Sequence, residues 1–292
     1  MRQFPDHGRM GNIIEVRNVS YRYRFSKREA LKNISLEIEE GSFVGIIGPI
    51  GAGKTTLCYC LSGVIPHILG GEFKGDVFVK GINTRDATTP ELTQIIGFCQ
   101  QDAESQLFMT DVEREIAFPL ENLMFPPDEI KARVEEALRI TRLTKYKKRH
   151  PFFLSGGEKQ RVVIAAVLAM RSEVIILDET LSELDPLGAE EVMETVSRLK
   201  EEGKTIIMVD HDLERLGRFA DKIVLIDEGR KVAEGTPEEI LSNIDLLREH
   251  YLDPPWTTQI AASLVRAGIH LPYIPITFES GVELFKKLLE GA

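Results

Sequence analysis
The stretch GPIGAGKTT (48–56) constrains the chain more than any other, because it sits directly after the apolar run FVGII (43–47) and directly before a helical run. The pattern G-x-x-x-x-G-K-[ST] in a strand–loop–helix context makes a phosphate cradle. Gly48, Pro49, Ile50, Gly51, Ala52 and Gly53 form the turn, and Gly51 and Gly53 let backbone N–H groups wrap round phosphate oxygens. Lys54 adds a point charge. The Thr55 hydroxyl is a Mg²⁺ ligand, and Thr56 follows it into the helix. Such a loop demands an α/β fold whose central strands are covered on both faces.

Four more apolar, β-branched runs behave like FVGII and end abruptly in polar residues. They are IIGFC (95–99), VIIL (174–177), TIIMV (205–209) and KIVLI (222–226). These read as buried strands of a mostly parallel sheet, so chemistry belongs just beyond their carboxyl ends. The runs NIIEVRNVSYRYRF and LKNISLEIEEG alternate apolar with polar residues, the mark of an amino-terminal antiparallel β subdomain. DEIKARVEEALRITRL has helical periodicity and places a helical insert at about 102–165. From residue 246, two prolines, a short amphipathic helix, more prolines and a last helix read as a small appended lobe. The expected division is a tail at 1–12, a phosphate-loop NTPase domain at 13–245 and a carboxyl-terminal lobe at 246–292.

The bulk properties narrow the class. A net charge of −10 argues against a broad nucleic-acid-binding face, so no nucleic-acid partner is expected. The basic KYKKRH (145–150) reads as a solvated connection. The longest apolar run, nine residues from Val162 to Met170, falls short of the roughly 18 that span a bilayer. MRQFPDHGRMGN lacks an apolar signal core, so the protein is expected in the cytoplasm, and Met10 offers a second start. Cys58, Cys60 and Cys99 lack metal spacing and read as core residues.

After VIIL come Asp178 and Glu179. Behind a phosphate loop, Asp178 suits Mg²⁺ binding through water, and Glu179 suits orienting or deprotonating an attacking water. His211, after TIIMV, stands where it can contact a γ-phosphate. In LSGGEKQR (154–161), Ser155 and Glu158 fit a capping box that opens a helix. Gly156 and Gly157 leave its first N–H groups uncovered, a second anion site. One phosphate loop cannot easily use a second anion site carried away by a helical insert. A second chain can.

Taken in order, GPIGAGKTT, LSGGEKQR, VIILDETLSELD and MVDHD resemble the ATP-binding cassette ATPases over roughly residues 13 to 245. The resemblance implies ATP and Mg²⁺ as cofactors and a dimer in which the Ser155–Glu158 signature of one subunit closes on ATP held by the other. It implies Tyr23 as the aromatic that stacks on adenine and His211 as the switch histidine. It also implies Gln101 as the glutamine linking Mg²⁺ to a transmembrane partner, with Gln100 as its rival, and Asp185 as the loop signalling across the dimer. Thr180 stands where the family usually has proline, and Glu158 where it usually has glutamine. QQDAESQLFMTDVEREIAFPLENL (100–123) and the terminal lobe are similar to ATPases of energy-coupling factor importers of vitamins and transition metals. That implies three kinds of partner: a second ATPase subunit, identical or homologous, a transmembrane coupling protein and a substrate-binding membrane protein. The ATPase would lie peripherally on the inner face of the membrane, docking through a groove at Leu107, Phe108, Met109 and Phe118. The competing readings are a non-transport ATPase of the same superfamily, acting on nucleic acid or ribosomes, and a small-molecule kinase or GTPase. The second has no use for LSGGEKQR.

Overall fold
A computed structural model describes residues 11–290; Met10 and the tail before it lie outside the described residues. The strands are β1 (Asn12–Tyr23), β2 (Leu31–Glu39), β3 (Phe43–Ile47), β4 (Gly71–Val79), β5 (Ile82–Asn83), β6 (Ile96–Cys99), β7 (Val174–Asp178), β8 (Thr205–Val209), β9 (Lys222–Asp227) and β10 (Arg230–Gly235). The helices of the first half are α1 (Lys54–Leu61), α2 (Val64–His67), α3 (Thr89–Ile95), α4 (Val112–Asn122), α5 (Pro127–Ile140) and α6 (Gly156–Met170). Those of the second half are α7 (Pro186–Glu201), α8 (Leu213–Phe219), α9 (Pro237–Leu241), α10 (Ile244–Glu249), α11 (Trp256–Arg266) and α12 (Phe278–Glu290).

A six-stranded sheet in the order β10-β9-β3-β8-β7-β6 forms the centre, parallel except for β10. Every residue of β3, β7 and β8 is buried, which is why these segments are apolar throughout rather than alternating. β6 begins at Ile96, one residue later than its apolar run, because Ile95 closes α3. The antiparallel sheet β2-β1-β4-β5 covers one face, and β2 alternates buried and exposed positions as its sequence does. Its inner side chains meet Val44, Ile46, Ile176 and Ile207 around α1 in one apolar core, where Cys58 and Cys60 also lie.

The opposite face of the central sheet packs on α6, α7 and α8. α6 serves two cores at once. Ile164 and Leu168 face the sheet, whereas Val162, Ala165 and Ala169 pack with α4 and α5 in a separate insert core. The KYKKRH connection runs over the surface, with Lys147 and Lys148 paired to Glu113. Beyond α10, α11 and α12 enclose a small core of Ala261, Leu271 and Leu284. Ile276 ties that part of the chain to the main body, beside Leu213, Leu216 and Leu241.

Candidate functional site
The carboxyl ends of β3, β7 and β8 bring the predicted groups together. Gly48 leaves β3 at φ 150°, and an added Cβ would lie 1.9 Å from the Ile226 carbonyl oxygen, so no larger residue fits. Ile50 is 92% exposed, leaving the crown of the loop open to solvent. Lys54 is buried, and its Nζ donates to the carbonyls of Gly48 (2.9 Å) and Pro49 (3.1 Å). Thr55 is half-buried, and Thr56 shares a hydrogen bond of 3.0 Å with the hydroxyl of the half-buried Tyr23.

Glu179 is the convergence point. Its carboxylate accepts from Gln101 Nε2 at 2.9 Å, lies 2.9 Å from His211 Nε2 and 3.5 Å from Lys54 Nζ. The aim comes from an unusual backbone: Glu179 has φ 52°, held by its N–H donating to the Val209 carbonyl at 2.9 Å. Gln101, not Gln100, reaches this site, since the Gln100 side chain accepts from Tyr59 at 3.4 Å. Asp210 and Arg215 form a bond of 2.5 Å that shapes the turn carrying His211.

Asp178 is fully buried, and neither carboxylate oxygen has a hydrogen-bond partner. Burial pushes its pKa up to about 6. The Thr55 hydroxyl opposes the shift from nearby, without a bond of normal geometry, as do Lys54 and His211, while Glu179 adds to it. Two unpartnered buried oxygens beside a threonine hydroxyl fit a cation that completes its shell with phosphate and water. Among the described residues no three His, Cys, Asp or Glu side chains form a cluster that could hold a metal ion. Thr180 Oγ1 is likewise buried without a partner.

The signature lies apart from the phosphate loop. Ser155 Oγ accepts from Glu158 N (3.3 Å) and Glu158 accepts from Ser155 N (2.9 Å), the reciprocal capping box. Gly157 has a further reason to be glycine, since an added Cβ would lie 2.8 Å from the Glu183 carbonyl oxygen. Asp185 caps α7 through Gly188 N (2.8 Å) and pairs with Arg161 (2.5 Å). The Gly188 amide and Arg161 hold its carboxyl below the usual range. Ser155, Gly157, Glu158 and Asp185 share a cleft with Arg142 and Lys145, and no phosphate-loop residue lines it.

Sequence reasoning missed the buried Glu115. Its carboxylate accepts from the backbone N–H groups of Phe108 (3.0 Å) and Met109 (2.7 Å), and burial raises its pKa. An acid three residues after Val112, on the apolar face of α4, was the available signal. The segment it pins runs from Gln101 to an apolar strip in which Phe108 is 63% exposed and Leu107, Met109 and Phe118 are half-buried.

The family model for "ABC transporter" matches residues 31–182. The putative ABC transporter ATP-binding protein PH1815 of Pyrococcus horikoshii is 45% identical over 276 residues, 94% of this chain and 97% of that one. The energy-coupling factor transporter ATP-binding protein EcfA1 of Caldanaerobacter subterraneus is 39% identical over 279 residues, 94% of this chain and 99% of the relative. Among solved structures, cbiO1 from Clostridium perfringens, part of the ABC transporter complex cbiONQ, superposes with TM-score 0.69 at 32% identity. It covers 86% of this chain and 99% of its own.

Proposed function
The chain belongs to the ABC transporter ATPases, and from that premise we propose that it powers an energy-coupling factor importer of a micronutrient, a vitamin or a transition metal. Its reaction is the hydrolysis of ATP to ADP and phosphate, coupled to transport. The carboxylate of Glu179 stands beside Lys54, Gln101 and His211. Nucleotide arrival offers Lys54 the β- and γ-phosphates in exchange for the carbonyls of Gly48 and Pro49. Tyr23 is assigned to the adenine ring, and Gly48 to Thr56 to the phosphates. Glu179, freed from Lys54, takes the attacking water and its proton, and His211 contacts the γ-phosphate. Mg²⁺, held by Thr55, Gln101 and, through water, Asp178, would neutralise charge developing on the phosphates. Docking of Ser155 to Glu158 from a second ATPase subunit completes the site, and Asp185 reports that closure to the neighbour.

One observation carries the transport reading: the segment that starts at Gln101, in contact with Glu179, ends in a partly exposed apolar strip pinned by Glu115. A groove so connected suits a short helix of a transmembrane coupling protein. The similarity to EcfA1 and to a subunit of cbiONQ favours that partner, together with a substrate-binding membrane protein. Among the described residues no helix is long and apolar enough to cross a membrane. Attachment through the coupling protein would be peripheral, on the cytoplasmic face. The test is Met109→Glu. This variant should no longer co-purify with the transmembrane partner from detergent-solubilised membranes, while still binding ATP. If groove variants co-purify fully, or the ATPase responds instead to DNA or ribosomes, the importer reading fails.

A further inference from the structure
The hairpin between β9 and β10 stands behind the phosphate loop. Asp227 pairs with Arg230, and the two residues between them, Glu228 and Gly229, have φ 46° and 78°. This positive-φ pair makes the tight turn that suits strand twist, but it costs a glutamate more than a glycine. Asp227 offsets the cost by accepting from Glu228 N at 2.8 Å through Oδ1. The tip of the hairpin is held on two sides: Gly229 N donates to the Ala52 carbonyl at 2.9 Å, and Gly229 O accepts from Lys32 N at 2.7 Å. The loop has no slack here, since an added Cβ at Gly53 would meet the Ala30 carbonyl oxygen at 2.6 Å and Gly229 Cα at 3.6 Å.

The other oxygen of Asp227 is bonded to His250 Nδ1 at 2.8 Å, with only 19% and 16% of the two side chains exposed. His250 caps α10, at the root of the carboxyl-terminal lobe, where Leu246, Leu247 and Leu252 anchor the chain in the main core. A continuous set of contacts therefore runs from the root of the lobe through His250 and Asp227 to the hairpin tip and on to Ala52 in the phosphate loop.

We infer that Asp227 and His250 are positioning residues for the phosphate loop and that, through them, the packing of α10 sets nucleotide affinity. Neither residue touches nucleotide. They fix where the hairpin holds Ala52, and so where the N–H groups of the loop converge. A shift of that backbone weakens ground state and transition state alike, so it raises KM and leaves kcat in place. The inference rests on ATP binding alone, so the fate of the importer reading does not decide it.

The test uses the full chain. His250→Ala should bind ATP about three- to tenfold more weakly in a titration, the range that loss of one largely buried hydrogen bond produces. KM should rise by the same factor, with kcat within twofold of wild type. His250→Asn puts its amide nitrogen near the place of Nδ1 and should recover most of the affinity. His250→Gln fills the site but carries its nitrogen to the place of Nε2, and should not. Asp227→Ala should match His250→Ala, and the double variant should be no worse than either single one, as for two residues acting through one contact. Wild-type affinity in His250→Gln and Asp227→Ala would overturn the inference. So would an Asn variant as weak as the Ala variant, because the effect would then be general loosening rather than this bond.

Discussion
At the scale of single residues, the site holds two carboxylates whose environments differ. Glu179 faces three polar partners, and the assignment of water activation to it predicts that Glu179→Gln binds Mg·ATP but loses about 10²- to 10⁴-fold in turnover. A rate within twofold of wild type would remove it from that role. Asp178 is buried without partners, and its folded pKa of about 6 lies above the ordinary 3.8. Between those values the folded chain binds the extra proton. In the absence of nucleotide, stability from this group therefore rises as pH falls from about 6 to 4, and the full charge cost persists above 6. Two pKa units correspond to roughly 3 kcal/mol. The stability of Asp178→Asn relative to wild type should accordingly shift by about that amount in favour of the variant between pH 4 and 7.5. Urea titrations at the two pH values check it.

At the scale of elements, α4 and the segment before it act as one piece. Gln106 bonds back to Gln100 on both sides of the backbone, through Gln100 N (3.2 Å) and Gln100 O (3.1 Å), while Glu115 holds Phe108 and Met109 from below. Glu115→Ala leaves two N–H groups without their acceptor and should cost about 2 kcal/mol in a denaturant titration. Because the same segment carries Gln101, the variant should also lose part of the ATPase rate. Unchanged stability would show that the carboxylate is replaceable by water. α6 is the second such element: its start carries the signature and its body joins the insert core to the sheet core, so the signature cannot shift without the insert.

At the scale of the whole molecule, the phosphate loop and the signature of one chain do not share a cleft. The proposed pairing of two chains head to tail would bring each loop against the other's signature. Mixing Lys54→Ala chains with Ser155→Arg chains then yields heterodimers with one composite site carrying both substitutions and one carrying neither. Partial activity should return on mixing if the chain pairs with itself, and its absence in demonstrated mixed dimers would exclude the shared site. The carboxyl-terminal part of the chain adds two more long-range links: Ile276 packs beside Leu213 and Leu216 of α8, and His250 bonds Asp227 at the hairpin behind the phosphate loop.

The local parts of this molecule were legible because each is written in consecutive residues. GPIGAGKTT needs only the strand before it and the helix after it. The capping box of Ser155 and Glu158 closes within one helical turn, and the buried strands show themselves by being apolar throughout. Asp178, Glu179 and His211 follow apolar runs, at the strand ends where an α/β sheet collects its chemistry, whereas Gln101 was singled out only by the resemblance, with Gln100 as its rival. What tertiary structure alone decided is everything set by contact between distant segments. No spacing in the sequence could show that Gly157 is small because of Glu183, that Gly48 is pressed on Ile226, or that Asp227 meets His250. Periodicity carries information over one or two turns, whereas these contacts depend on how sheet, insert and lobe pack once the chain is closed. The left-handed turn at Glu179, which aims its carboxylate, is held by a carbonyl thirty residues away on β8, and only the folded sheet brings that carbonyl within reach.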